Sequence, residues 1–373
     1  MQDRDPIPRR KTRRIRVGRV PIGGGAPISV QSMTKTATRD AAATLRQIEA
    51  LASAKCDIVR VAVPEMQDAD ALAEICRRSP LPVIADIHFD YRLALRALEA
   101  GVDGLRLNPG NMRSRKHVKS VVALAAERKA PIRIGVNAGS LSKGYRERVE
   151  AGQLSVAEAM VESALEHIAI LEDHGHREIK VSLKASDVMT TVRAYRLLAK
   201  RCEYPFHVGI TEAGTIRAGT IKSSAGIGVL LMDGLCDTIR VSLTGDPVEE
   251  VFVGRKLLQA FGEGRAGPEL ISCPTCGRRD IDIVGLADQV ERALASEDLD
   301  ITVAVMGCEV NGPGEARDAD IGIAGGAGIG LIFRGGQIVR RVKESEILPA
   351  FFEELALLKA EIGKKPPKNS PTS

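Results

Sequence analysis

No tryptophan occurs in the 373-residue chain, and aromatic residues make up only 3% of it. Stacking on bases or sugar rings therefore does not dominate its recognition chemistry. Apolar runs of 18 residues are also missing, so no transmembrane helix and no membrane partner are expected. Histidine is scarce, and none follows His207. Neither charge sign dominates: the formal net charge of +5 suits a small anionic substrate or an acidic partner protein. The seven cysteines are odd in number, scattered, and unaccompanied by a secretory signal. That excludes a disulfide framework and leads to the expectation of reduced thiols in a cytoplasmic setting.

What is present, 44% apolar and 27% charged residues, is ordinary for a soluble globular protein. The length accommodates two domains, or one large domain with an appendage. Residues 1–16 carry a basic run of Arg9, Arg10, Lys11, Arg13, Arg14 and Arg16 with no apolar stretch after it, so it is not a signal peptide. It reads as a solvated, poorly ordered arm and not as a contact for RNA or an acidic protein. Residues 363–373, rich in Lys, Pro and Ser, read as a disordered tail.

Between these ends, short β-branched runs alternate with amphipathic segments. Strands are expected at Ile28–Met33, Cys56–Val63, Leu81–Ile87, Gly104–Asn108, Ile132–Asn137, Glu178–Lys184, Phe206–Thr211 and Asp237–Leu243. Helices such as Ala41–Ala54, Met66–Arg78, Tyr91–Ala100, Val118–Arg128 and Ala157–Glu172 lie between them. Eight β-then-α units predict an α/β fold, a (β/α)8 TIM-type barrel over 17–262. Gly23-Gly24-Gly25 precedes a strand with no helix behind it, and reads as a turn and not a phosphate loop. The Gly/Pro-rich stretch at 263–272 reads as a linker. A small α+β domain follows at 273–362, with strands at Asp280–Val284 and Ile301–Val305 around a helix at Leu286–Ala295, then three close-spaced strands and a last helix from Glu346.

Strands covered on both faces are almost wholly apolar, and these break the rule near their C-terminal ends. Arg60 follows Asp-Ile-Val in the second strand, Asp86 and His88 follow Pro-Val-Ile-Ala in the third, Arg106 and Asn108 close the fourth, Arg133 and Asn137 are in the fifth, Ser182 and Lys184 end the sixth, Thr211 and Glu212 end the seventh, and Arg240 and Ser242 are in the eighth. A barrel builds its active site at that rim. Several converging buried cations imply an anionic ligand, since a cation buried alone is costly. Taken singly, Arg60 or Arg240 reads equally as the partner of a helix acid outside the barrel. Asp86 and Glu212 stand as acid/base candidates. Cys56, Cys76, Cys202 and Cys236 read as packed core thiols.

The second domain carries Cys273-Pro-Thr-Cys276 and, beyond a helix and a strand, Cys308 within Gly307-Cys-Glu-Val-Asn-Gly-Pro-Gly-Glu315. A Cys-x-x-Cys pair with a distant third thiolate is ligand spacing for iron or zinc, and a tetrahedral metal needs a fourth ligand. With no histidine nearby, the candidate is Glu315, presented by a Gly/Pro/Asn-rich turn. A carboxylate is hard and exchangeable, which favours a catalytic metal over a structural one.

Together these segments resemble one family. Val30-Gln-Ser-Met-Thr34, Ala85-Asp-Ile-His88, Leu105-Arg-Leu-Asn-Pro-Gly110, Arg133-Ile-Gly-Val-Asn-Ala-Gly-Ser140, Val181-Ser-Leu-Lys-Ala-Ser186, Gly209-Ile-Thr-Glu-Ala-Gly214 and both cysteine strings are similar to those of 4-hydroxy-3-methylbut-2-enyl diphosphate synthases. These are iron–sulfur enzymes of the non-mevalonate isoprenoid pathway, and the likeness runs from about Ile15 to Leu358 in the two-domain bacterial form. Lys35 departs from the pattern, in which Asn or Thr is commoner. The resemblance implies a [4Fe–4S] cluster on Cys273, Cys276, Cys308 and Glu315. It implies 2-C-methyl-D-erythritol 2,4-cyclodiphosphate at the rim, with Arg60, Arg106, Arg133, Lys184 and Ser242 on the diphosphate, Asn137 and His88 nearby, and Asn311 reaching in from the cluster turn. Glu212 would transfer protons, with Asp86 as second choice. Also implied are flavodoxin or ferredoxin as electron donor and a head-to-tail homodimer in which one subunit's cluster caps the other's barrel. Two rival readings make other demands. A pterin- or corrinoid-type barrel with a structural metal would not need Glu315, and a zinc module binding nucleic acid would leave the barrel without a role.

Overall fold

Asp40, Asp90, Asp187 and Asp246 each stand directly before a helix, and their carboxylates accept a first-turn backbone N–H. Ser155 does the same inside a reciprocal capping box with Glu158. Such caps satisfy donors that a helix start leaves open, so they mark where strand-to-helix loops end. The helices they open are α1 (Ala41–Ser53), α3 (Tyr91–Glu99), α6 (Val156–Asp173), α7 (Val188–Ala199) and α9 (Pro247–Ala260). Between them lie α2 (Met66–Arg78), α4 (Arg115–Glu127), α5 (Lys143–Glu150) and α8 (Ile216–Met232). The computed structural model describes residues 7–112, 114–263, 267–273, 282–294, 297, 299–307, 317–326 and 328–363. These fall into two compact units that divide between 264 and 265.

In the first unit a hairpin of β1 (Ile15–Val17) and β2 (Val20–Ile22) precedes eight parallel strands. These are β3 (Ser29–Met33), β4 (Ile58–Ala62), β5 (Val83–Asp86), β6 (Gly104–Arg106), β7 (Ile132–Asn137), β8 (Ile179–Lys184), β9 (His207–Val208) and β10 (Thr238–Ile239). They pair in the order β8-β7-β6-β5-β4-β3-β10-β9, and a parallel bridge from Val181 to Phe206 closes the ring. Every barrel strand expected from the sequence is present, shortened by a residue or more at most ends. The hairpin was not anticipated. Its Ile15, Val17 and Ile22 bury against Ile58 and Ile84, the first inward residues of β4 and β5, and so stopper the N-terminal end of the barrel.

The basic segment is not a loose arm. Arg9 donates to the carbonyls of Ala26 and Cys236 at 2.6 and 3.1 Å. Arg10 donates to those of Cys202 and Tyr204, both at 2.6 Å, with its guanidinium 4.0 Å above the Phe206 ring. Side chains that read as solvated charge instead satisfy open carbonyls at the N-terminal end of the barrel. Gly23, Gly24 and Gly25 all have positive φ, as a turn requires. Among the described residues no helix is long and apolar enough to cross a membrane.

The second unit is a five-stranded mixed sheet in sequential order: β11 (Glu269–Ser272), β12 (Thr302–Met306), β13 (Ile321–Gly326), β14 (Ile329–Arg334) and β15 (Gln337–Lys343). The first three run parallel and the last three antiparallel. Two expectations need correction. The 263–272 stretch is not all linker, because β11 pairs with β12. The strand expected at Asp280–Val284 is not one at its described end: α10 (Ile283–Leu294) starts there, and Asp282 accepts from the Gly285 N–H. Ile283, Val290 and Leu294 repeat at helical spacing and bury against the sheet with Phe351 and Leu355 of α11 (Ile347–Ile362). The β-branched string masked that period. Of the expected tail, 364–373 lie outside the described residues.

Candidate active site

Alternate residues of each barrel strand face the interior, which branched apolar side chains usually fill. The outward set obeys the rule: Val59, Val61, Ile134, Val136, Val181 and Leu183 are buried in the main apolar core. The inward set does not. Arg60, Arg106, Arg133, Lys180, Lys184 and Arg240 share the interior with two carboxylates among the described residues, Asp86 and Glu250.

Asp86 is the internal counter-ion of one side. Its carboxylate lies 3.6 Å from Arg60 Nε, 3.4 Å from Arg106 Nη1 and 3.8 Å from His88 Nε2. Burial opposes its ionisation, but Arg60, Arg106, Arg133 and His88 prevail and hold its pKa below the ordinary carboxylate value. A carboxylate so held is a poor proton acceptor, which argues against Asp86 as the acid/base group. Glu250 serves the other side from the first turn of α9. It meets Arg240 at 3.5 Å and accepts from Ser32 Oγ at 3.2 Å and Leu243 N at 3.1 Å. The helix-acid pairing considered for Arg240 is therefore real, although its Nε has no hydrogen-bond partner among the described residues.

Arg133 is the most exposed to imbalance. Only 3% of it is accessible, and Nη1 donates to Ser182 Oγ at 2.8 Å. Its Nε and Nη2 are buried with no hydrogen-bond partner among the described residues. Desolvation, then Arg60 and Arg106, push its pKa well down, and desolvation followed by Arg133 does the same to Lys184. Beyond its ion pair with Asp86, Arg60 has as its hydrogen-bond acceptor among the described residues only the thioether of Met33, a weak acceptor, 2.9 Å from Nη2. Cations this short of acceptors need an anion to complete them.

Two glycines make the crowding possible. A Cβ on Gly135 would sit 2.9 Å from Arg106 Nε, and Arg106 Nη2 donates to the Gly135 carbonyl at 3.1 Å. A Cβ on Gly209 would sit 2.9 Å from Lys184 Nζ and 2.4 Å from the Arg240 carbonyl oxygen. A strand glycine where another group approaches closely is the expected signature.

Arg60, Asp86, His88, Arg106, Arg133 and Lys184 are thus brought together, and the register sets Asn137 opposite Lys184. Ser242 follows Arg240 past the end of β10. Glu212 stands apart. It is exposed, in the β9–α8 loop, and makes no hydrogen bond or ion pair among the described residues. Its φ of 51° is left-handed, a strained setting for a non-glycine residue that is over-represented at functional sites. The sequence reading passed over Lys180, Gly135, Glu250 and His207. The last is a fully buried imidazole 3.5 Å from Lys184 Nζ and bonded to Thr238 Oγ1. Lys180 had a signal, because it shares the inward parity of Ser182 and Lys184. Lys35, the departure in the first loop, donates to the Leu243 carbonyl at 2.9 Å and lies 3.3 Å from Glu250, tying that loop to the one after β10.

Cys56 and Cys236 are core thiols and Cys76 and Cys202 pack half-buried against the same core, and burial drives the pKa of Cys56 and Cys76 up to about 12. Cys273 differs. It directly follows β11, is half-buried, and its Sγ accepts the Gly307 N–H at 3.4 Å. Parallel β11 and β12 therefore deliver Cys273 beside the residue that precedes Cys308 in sequence. Thiolate sulfur is the form in which cysteine binds iron. Three soft thiolates and one carboxylate are a donor set that fits an iron–sulfur group. Cys276, Cys308, Asn311 and Glu315 lie outside the described residues.

Comparison with known proteins covers both units. Residues 12–255 match the family described as GcpE TIM-barrel domain, and residues 269–357 match the GcpE protein C-terminal domain. The 4-hydroxy-3-methylbut-2-en-1-yl diphosphate synthase (flavodoxin) of Geobacter sulfurreducens is 62% identical over 94% of this chain and 99% of its own. Proteins of the same name from Maridesulfovibrio salexigens and Clostridium acetobutylicum are 56% and 54% identical, over 94% and 92% of this chain and 98% of theirs. From the stoppered, cation-filled barrel to the Cys273 segment, the chain belongs to the 4-hydroxy-3-methylbut-2-en-1-yl diphosphate synthase family.

Proposed function

We propose that the barrel mouth binds 2-C-methyl-D-erythritol 2,4-cyclodiphosphate and that the chain catalyses its two-electron reductive opening and dehydration to (E)-4-hydroxy-3-methylbut-2-enyl diphosphate. The observation that carries this reading is Arg133, a buried cation with two guanidinium nitrogens unpartnered among the described residues. Arg60, Arg106, Arg133, Lys184 and Ser242 bind the two phosphates. Asn137 and His88 orient the ring, and Asn311 reaches it from the cluster turn. Fixed cations stabilise the diphosphate as the tertiary carbon–oxygen bond breaks, because charge develops on an oxygen they already face. Asp86 and Glu250 keep the guanidinium groups in place. Glu212, held at the rim by its strained backbone, transfers the proton that accompanies loss of the hydroxyl as water.

Cys273, Cys276, Cys308 and Glu315 are the residues that would hold a [4Fe–4S] cluster. When bound, that group supplies electrons one at a time and an iron whose carboxylate ligand is exchangeable. The donor proposed is flavodoxin, or ferredoxin, acidic proteins suited to the positive balance of the chain. A head-to-tail homodimer in the cytoplasm completes the proposal.

Protein purified without oxygen tests it. About four iron and four sulfide per chain are expected, with turnover of the cyclodiphosphate under reduced flavodoxin. Glu315→Ala is expected to leave the protein folded and reduce turnover at least 100-fold. One zinc without sulfide, persisting after anaerobic reconstitution, or full activity in that variant, overturns the mechanism.

A further inference from the structure

β8 sends three side chains into the barrel, Lys180, Ser182 and Lys184, and Lys180 is the deepest. Only 1% of it is exposed, it lies in register with Arg133 of β7, and its Nζ has no hydrogen-bond partner among the described residues. The charged and titratable groups that act on it are Arg133 from β7, Arg60 from β4 and His207 from β9, with Asp237 the opposing carboxylate. Asp237 is already engaged by the Phe206 N–H at 2.8 Å, Thr12 Oγ1 at 3.2 Å and Arg9 at 3.3 Å. An ammonium at Lys180 therefore has cations for neighbours and no carboxylate of its own.

We propose that Lys180 is the charge-compensating residue of the substrate site: it is an uncharged amine in the ligand-free enzyme and takes up a proton when the cyclodiphosphate settles on Arg133, coupling substrate binding to proton uptake. The inference rests on the diphosphate reading of the barrel mouth. Burial, then the fields of Arg133 and Arg60, lower the Lys180 pKa to about 7. Two negative charges within ~10 Å, at an effective dielectric of ~20, raise a lysine by roughly two pH units. Between these limits, near pH 8, the amine is mostly neutral before binding and mostly charged after it. The stored charge also serves the reaction, because ring opening turns a bridging ester oxygen into a terminal phosphate oxygen and adds negative charge above Lys180.

The test is titration calorimetry of the anaerobic holoenzyme with the cyclodiphosphate, without reductant, at pH 8 in buffers of different ionisation enthalpy. Wild type is expected to take up close to one proton more per site than a Lys180 variant, and that difference is expected to vanish by pH 5. Lys180→Met, which cannot be charged, and Lys180→Arg, which stays charged, are both expected to lose that proton. Lys180→Met is also expected to bind about tenfold more weakly at pH 8. Thermal melts identify which variants fold, and either one suffices. Substrate binding with uptake undiminished in a folded variant overturns the role of Lys180 and leaves the substrate assignment standing. Failure of wild type to bind the cyclodiphosphate overturns both.

Discussion

Arg133 shows at the scale of one residue how function is set against stability. A buried cation with unpartnered donors destabilises the ligand-free fold, and a hydrophobic side chain of similar volume relieves that cost. Ser182 Oγ retains a partner, since it also donates to the Ile134 carbonyl at 3.2 Å. Arg133→Met is therefore expected to raise the stability of ligand-free protein by about 1–3 kcal/mol. It is expected to weaken substrate binding about 100-fold or more. Denaturant melts and calorimetry check the two halves, and a destabilised variant would show Arg133 to be satisfied in the native state. Arg133 was legible in the sequence as a charge interrupting a buried strand. Which of its nitrogens lack partners was not, because that depends on side chains from β4, β6 and β8.

At the scale of elements, the two glycines are expected to respond differently to the same change. In β7, a Cβ on Gly135 meets the far end of Arg106, which is able to swing away. Gly135→Ala is expected to cost under ~1 kcal/mol of stability and to weaken substrate binding by displacing that guanidinium. After β9, a Cβ on Gly209 meets the Arg240 carbonyl oxygen at 2.4 Å, and backbone cannot yield as cheaply. Gly209→Ala is expected to cost about 2 kcal/mol or more. Melts and substrate titrations of both variants decide, and equal losses of stability would refute the distinction. The basic N-terminal segment gives a similar contrast. Arg10→Ala forfeits two hydrogen bonds to carbonyls and the stack on Phe206, and is expected to cost about 2–3 kcal/mol. Exposed Lys11→Ala is expected to cost about nothing. Charge density alone misread this segment, because its partners lie near 202–206 and 236–237, roughly two hundred residues away in sequence.

At the scale of the molecule, the division near 264 separates the barrel from a unit bearing Cys273. If the proposed head-to-tail dimer operates, complementation follows. Glu315→Ala and Arg133→Ala chains, each inactive alone, are expected to regain up to about a quarter of wild-type activity when co-assembled at equal ratio, since half the dimers are then mixed and each holds one intact site. No recovery in mixtures shown to contain mixed dimers would refute cluster sharing.

The order of eight strand-and-helix units, the polar residues at strand ends, and the metal-ligand spacing of the cysteines were all determined by the chain itself, because local periodicity and residue chemistry carry them. Only the tertiary structure decided that Asp86 is a counter-ion, that Glu250 reaches in from α9 to Arg240, that the basic segment binds barrel carbonyls and that Lys180 lies in register with Arg133 with no hydrogen-bond partner for its Nζ among the described residues. Those facts depend on which side chains meet across the closed barrel, and a buried charge takes its state from neighbours that sequence distance does not reveal.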